Sequence, residues 1–242
     1  MSAPIVSEKF VIQSYETDVK ARLKPTFLQD HLQEAAYHGS EFCGASYEQL
    51  REKNLFWALN RMHFHVYEWP LWNDEVELRT WSRAQVGPLY HRNFRLFKDG
   101  KVIAEATSAW TILDLAARSI WRGEAPFDAS LHYDEDTLPF CSKIVIPKDI
   151  VFEKGGERDA LYSDLDTNSH VNNCVYPGWA VDTLPLEYLM DRDLHDVQIC
   201  YYHEIHAGDK VELLRAKAPD SEVWYVQGLA NGTQAFVIRL EF

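Results

Sequence analysis

The feature that most constrains the fold is an internal repeat. The segment NDEVELRTW (73–81) matches GDKVELLRA (208–216) at an offset of 135, setting Asp74, Val76, Glu77 and Leu78 against Asp209, Val211, Glu212 and Leu213. The same offset sets LNRMHFHVY (59–67) against LHDVQICYY (194–202). Further along it becomes 132, where FRLFKDGKVIA (94–104) faces VQGLANGTQAF (226–236). Both of these carry a hairpin dipeptide, Asp99-Gly100 and Asn231-Gly232, whose residues accept the positive φ of a tight turn. A fixed period of this kind implies two equivalent structural units.

Each half begins with a helical pattern. TFLQDHLQEAAYHGSEF (26–42) has Phe27, Leu28, Leu32, Ala35 and Ala36 at three- and four-residue spacing, and NCVYPGWAVDTL (173–184) is its shorter counterpart. Four strand-like runs follow in each half, β-branched or aromatic and separated by turn residues. One helix wrapped by an antiparallel sheet, then duplicated, is an α+β architecture. The expected organisation is an N-terminal unit over 1–132, a linker over 133–148 where acidic residues and prolines break the periodicity, and a C-terminal unit over 149–242.

Composition excludes several classes. Hydrophobic residues make up 46% and aromatics 13% of 242 residues, enough to build cores and too many for disorder. The start lacks a basic segment followed by an apolar one, and nowhere are there 18 uninterrupted apolar residues, so a cytoplasmic protein that does not enter the membrane is expected. The four cysteines form no CxxC pair, which favours buried thiols over disulfides or a zinc knuckle. A formal net charge of −13 repels nucleic acid and anionic membranes.

The densest polar cluster is SDLDTNSHVNNCVYPGW (163–179). In an extended segment Asp166, Asn168 and His170 project to one side, and Asn172 or Asn173 can cap the helix that follows. A carboxylate, an amide and an imidazole at a helix N-terminus supply a base, an orienting donor and an oxyanion site, the parts that acyl transfer needs. Turns and caps use the same residue types for local hydrogen bonding alone. Asymmetry favours chemistry: the equivalent loop near DVKARLKPTFLQD (18–30) offers Lys24, Pro25 and Thr26 where the second half has its acid and amide cluster.

DLDTNSHVNN resembles the Asp-Leu-Asp-x-Asn-x-His-Val-Asn-Asn motif of the acyl-ACP thioesterases, and KNLFWALNRM (53–62) is similar to that family's Asn-Leu-x-Trp-x-x-x-Arg-Met segment. HLQEAAYH (31–38) and SAWTILDLAAR (108–118) extend the resemblance over nearly the whole chain. It implies a tandem double hotdog and hydrolysis of fatty acyl-ACP to free fatty acid and holo-ACP. The family's catalytic Asp, Asn and His fall on Asp166, Asn168 and His170, and its further acidic residue on Glu204. There the pattern departs, because Ile205 replaces the family's Cys and His206-Ala207 precede Gly208, so a thiol role at that place is excluded. Glu204 or Asp166 would activate a water while Asn168 and His170 position it; direct attack by Asp166 is the rival route. The oxyanion would sit on backbone N–H groups near the helix after Val171.

By the same resemblance the first unit holds the acyl chain, with Trp57, Arg61 and Met62 as substrate-binding residues, and the partner is acyl carrier protein with a phosphopantetheine-linked acyl chain. An acyl-CoA thioesterase of the same fold and a non-catalytic acyl-binding module are the alternatives. Because carrier proteins are acidic, a local basic patch is needed; Arg79, Arg83, Arg92, Arg95, Arg118, Arg122, Lys143 and Lys148 are its candidates. No cofactor is implied. His63 with His65, and His203 with His206, have no partner at an established ligand spacing, so strand histidines and no metal are expected. A homodimer is compatible with the chain, although a fused pair already supplies the interface for which single hotdogs dimerise.

Overall fold

The computed structural model describes residues 5–128, 130–133, 135 and 137–242. The chain divides into two compact units, one reaching Cys141 and the other starting at Ser142. Among the described residues no helix is long and apolar enough to cross a membrane.

The first unit contains strand β1 (Val6–Val11), helices α1 (Pro25–Glu41) and α2 (Tyr47–Arg51), and strands β2 (Leu55–Val66), β3 (Glu75–Ser82), β4 (Tyr90–Lys98), β5 (Lys101–Asp114) and β6 (Ser119–Ile120). Pro25 opens α1 at a position where a missing N–H costs nothing. Leu28, Leu32, Ala35, Ala36 and Gly39 then form one buried stripe. The sheet runs β1-β3-β4-β5-β2, all neighbours antiparallel. Its buried face, including Met62, Phe64, Leu78, Phe94 and Leu96, forms the core with α1. Each such side chain contributes about 1.5–3 kcal/mol by leaving water.

The second unit contains β7 (Glu153–Asp159), α3 (Val175–Val181), α4 (Leu186–Asp191), β8 (Asp196–Tyr201), β9 (Lys210–Lys217), β10 (Val223–Ala230) and β11 (Thr233–Glu241). Its sheet runs β7-β9-β10-β11-β8, again antiparallel, which repeats the strand order of the first unit. Both hairpin dipeptides sit where the repeat puts them. Asp99 and Gly100 have φ of 51° and 75°, and Asn231 and Gly232 have 48° and 82°.

Three expectations need correction. Each unit has a strand before its helix, β1 and β7, besides the four expected after it, and the first adds the short β6; β7 reads EKGGERD and has no apolar alternation to reveal it. The helix expected over 173–184 stops at Val181, where Thr183 Oγ1 donates to the Ala180 carbonyl and Pro185 stands at the N-cap of α4. Much of the 133–148 segment is bound to the first unit. Tyr133 N–H donates to the Ser82 carbonyl, Trp81 Nε1 to the Glu135 carbonyl and Arg61 Nη1 to the Cys141 carbonyl, at 2.9, 2.9 and 2.8 Å. Asp134 and Asp136, part of its acidic run, lie outside the described residues.

Candidate active site

The polar loop of the second unit is built around Asp166. Its Oδ1 accepts the N–H groups of Asn168 (2.8 Å) and His170 (3.3 Å), and its Oδ2 accepts Asn168 Nδ2 (3.3 Å). The Asp166 N–H donates to the His170 carbonyl at 2.8 Å, which closes the loop, and Ser169 turns the chain at φ 65°. Short bridges then fix the loop, Leu165 to Val171 and His170 to His206, and the Val171 N–H donates to the Ile205 carbonyl at 2.8 Å. His170 is thereby brought to Glu204, with 3.4 Å between Nε2 and Oε2.

The frame around the loop is equally specific. Asp209 Oδ2 accepts the His206 N–H and its Oδ1 accepts Asn231 Nδ2, both at 2.8 Å. These bonds hold the Asp209 carboxyl below its ordinary pKa, the His206 amide contributing most. Asn172 Oδ1 accepts the Cys174 N–H at 3.0 Å, one residue before α3, so its side chain closes the turn into the helix. Tyr176 in the first turn of α3 is buried and stacked on Phe236 at 4.7 Å. Burial raises its phenol pKa, and the charges of Asp166 and Glu204 raise it further.

The first unit carries the same frame. Asp18 Oδ1 accepts the N–H groups of Lys20 (2.8 Å) and Arg22 (3.0 Å), and its own N–H donates to the Arg22 carbonyl at 2.8 Å. Ala21 turns at φ 58°, Thr17 bridges to Leu23 and Arg22 to Leu71. The equivalent loop is therefore 16–24, and the expectation that its acids are lost is corrected: Glu16 and Asp18 occupy the places of Asp164 and Asp166. The differences lie elsewhere. Lys20 stands for Asn168, Arg22 for His170, Trp69 for Glu204 and Leu71 for His206.

All four expected catalytic residues, Asp166, Asn168, His170 and Glu204, thus meet on one loop and the strand connection beside it. Glu204 is the most accessible, with 55% of its side chain exposed against 27% for His170. The amides of Asn168, His170, Val171, Asn172, Cys174 and Val175 already have acceptors within the unit, which weakens the expectation of a backbone oxyanion site there.

The expected substrate-binding residues do not share one surface. A bulge between Leu59 and Arg61 leaves Leu59 and Met62 both buried, while Arg61 reaches the Cys141 carbonyl. Trp57 donates to the Ala45 carbonyl at 2.9 Å and packs with Tyr90, Trp110 and Phe127. A small apolar cavity of about 10 Å³ lies between Leu28 and Leu32 of α1 and Phe64, Phe94 and Leu96 of the sheet. Half of the proposed basic patch is committed to other partners: Arg79 pairs with Glu77, Arg95 with Glu105 and Glu135, Arg83 lies over Phe140, and Arg92 is buried. Arg118, Arg122, Lys143 and Lys148 are exposed. Tyr176 was missed by sequence reasoning, and only its position beside the loop reveals it; His206, read there as a strand histidine, is brought to His170 by the bridge between them.

Residues 5–125 match the family model of the acyl-ACP thioesterase N-terminal domain, and residues 156–236 match that of the C-terminal domain. The chain belongs to the acyl-ACP thioesterase family. Among its relatives is an oleoyl-acyl carrier protein thioesterase of Arabidopsis thaliana, 28% identical over 235 residues, which cover 89% of this chain and 64% of that protein. The chain therefore spans somewhat less than two thirds of that curated relative. A solved acyl-ACP thioesterase from Bacteroides thetaiotaomicron superposes with a TM-score of 0.87 at 24% identity, covering 98% of this chain and 97% of that one. The 12:0-ACP thioesterase of Umbellularia californica gives 0.79 at 22% identity, with 98% and 96% covered. The fold is the double hotdog of acyl-ACP thioesterases.

Proposed function

We propose that the chain hydrolyses fatty acyl-ACP to free fatty acid and holo-ACP, with Glu204 as the general base. The observation that carries this reading is the substitution pattern on the repeated frame: both units keep the aspartate that folds the loop, and only the second adds Asn168, His170 and Glu204 around it. The unequal burden on the two acids supports Glu204 as the base. Asp166 is engaged by three N–H groups within its own loop, whereas Glu204 lies half in solvent beside His170. The oxygens of Asp166 are therefore already occupied by its own loop, whereas those of Glu204 can reach a water.

Glu204 accepts the proton of a water aligned by His170, and that water attacks the thioester carbonyl. The side-chain amide of Asn168, held beside Asp166 by its Nδ2 bond to Oδ2, is assigned to the oxygen on which negative charge develops. The carbon–sulfur bond then breaks and the phosphopantetheine thiolate leaves, taking up the proton. The acyl chain is assigned to the first unit, whose small cavity under α1 must open to admit it.

Turnover of acyl-ACP and acyl-CoA by wild type, Glu204→Gln, His170→Ala and Asn168→Ala tests this. Loss of a positioned base typically lowers kcat by about 10²–10⁴-fold, and that loss is expected for Glu204→Gln with little change in KM. Wild-type turnover in all three folded variants would remove the site. Equal kcat/KM on the two esters would remove the carrier-protein preference.

A further inference from the structure

Three side chains of metal-ligating type meet beside the polar loop: the ligand atoms of His170, Glu204 and His206 all lie within 4.8 Å of one another. The backbone sets this meeting. His170 and His206 are direct partners in an antiparallel bridge, and their rings stand edge to face at 4.8 Å. The Val171 N–H to Ile205 bond and the grip of Asp209 on the His206 N–H hold both sides of that bridge.

The fold itself does not require the cluster. The first unit builds the same bridge from Arg22 and Leu71, has Trp69 where Glu204 stands, and keeps the same aspartate, Asp74, on the Leu71 N–H at 2.7 Å. Three ligating groups have therefore been placed on a frame that is complete without them. Zinc takes histidine nitrogen at about 2.0–2.1 Å and carboxylate oxygen at about 2.0–2.2 Å, so two ligands of one tetrahedral ion stand roughly 3.4 Å apart. The separation of His170 Nε2 from Glu204 Oε2 is 3.4 Å. His206 is exposed, with its ring nitrogen within 4.8 Å of the other two ligand atoms, so rotation of its side chain would close the third side. The net charge of −13 raises the local concentration of cations.

We propose that His170, Glu204 and His206 bind a divalent transition cation of zinc type, and that occupancy switches the hydrolase off. Ligation occupies the oxygen of Glu204 and the ring nitrogen of His170 that handle the attacking water. The inhibitory half rests on the roles given to those residues above, and the binding half does not.

Calorimetric titration of the full chain with zinc chloride, run beside turnover assays, tests both halves. Wild type is expected to bind one equivalent and to lose turnover as the site fills, with recovery on adding a chelator. His206→Gln should fold, keep its zinc-free turnover within about two-fold, and bind at least about 10-fold more weakly, the scale on which removing support from a metal site acts. His203→Gln, a neighbouring histidine outside the cluster, should bind zinc as wild type does. No saturable binding by wild type, or equal binding by His206→Gln, would overturn the site. Binding without inhibition, or with stimulation, would overturn the switch and leave the site. A chain that binds zinc as described but hydrolyses no acyl ester would instead count against the proposed function.

Discussion

Gly39 lacks a side chain because Arg92 fills the space it would need. A Cβ on Gly39 would come 2.3 Å from Arg92 Nη1, and this guanidinium is buried between α1 and the sheet. Thr80 Oγ1 and Ser82 Oγ accept from it at 3.2 and 3.0 Å, and burial lowers its pKa to about 10. A glycine inside a helix ordinarily costs about 1 kcal/mol relative to alanine, so Gly39→Ala would stabilise an isolated helix. Here overpacking of about 1–3 kcal/mol outweighs that gain. Gly39→Ala should therefore lower the denaturation midpoint, and Gly39→Ala with Arg92→Met should regain part of the loss; additive effects in a double-mutant cycle would disprove the coupling. Sequence alone reads Arg92 as one more surface cation, because neither charge nor spacing reveals a buried guanidinium. Glu204 was legible by resemblance and His206 as a strand histidine, but their closeness to His170 was not, because it arises from a bridge between distant segments.

At the scale of elements, β10 and α3 are coupled through a single ring. Gly228 in β10 lies opposite Phe236 in β11, and a Cβ there would approach Phe236 Cε1 to 2.1 Å. Phe236 in turn supports Tyr176 at the start of α3. Gly228→Ala should therefore destabilise the second unit by about 1–3 kcal/mol and also lower turnover, whereas a purely local strand effect would leave kcat untouched. The first unit has an acid-sensitive contact of its own. His91 on β4 packs on Phe140 of the segment after β6, and burial, with Arg83 and Arg61 adding, lowers its pKa to about 4. Its unfolded value is about 6.5, so the buried neutral ring stabilises fully above that pH and loses its contribution as pH falls towards 4, at most about 3 kcal/mol. His91→Gln should flatten stability over that window in urea titrations, and an unchanged slope would rule the residue out. The hairpins and α1 were legible because dipeptides and helical periodicity are local signals. Strand β7 was not, since it is an exposed edge with Gly155 and Gly156 at a register shift.

At the scale of the whole chain, duplication provides an internal control that few active sites offer. Asp18 and Asp166 make the same two bonds from Oδ1 to the amides two and four residues on. Hydrogen bonds to a charged group contribute about 1.5–3 kcal/mol each when buried and less at this partial exposure. If Asp166 is chiefly the post around which its loop folds, the two aspartates should behave alike in stability and differ only in what their loops carry. Asp18→Ala and Asp166→Ala should each lower the denaturation midpoint by a similar amount. Asp18→Ala should leave kcat within about two-fold, while Asp166→Ala should lose turnover because Asn168 and His170 are no longer held. The nucleophile route differs on one readout. There, quenching a single turnover of wild type should trap an acyl group on Asp166, and where water then attacks the aspartyl carbon its labelled oxygen should enter the carboxylate. With Glu204 as the base, neither should occur, and the fatty acid should carry one labelled oxygen from the first turnover onward.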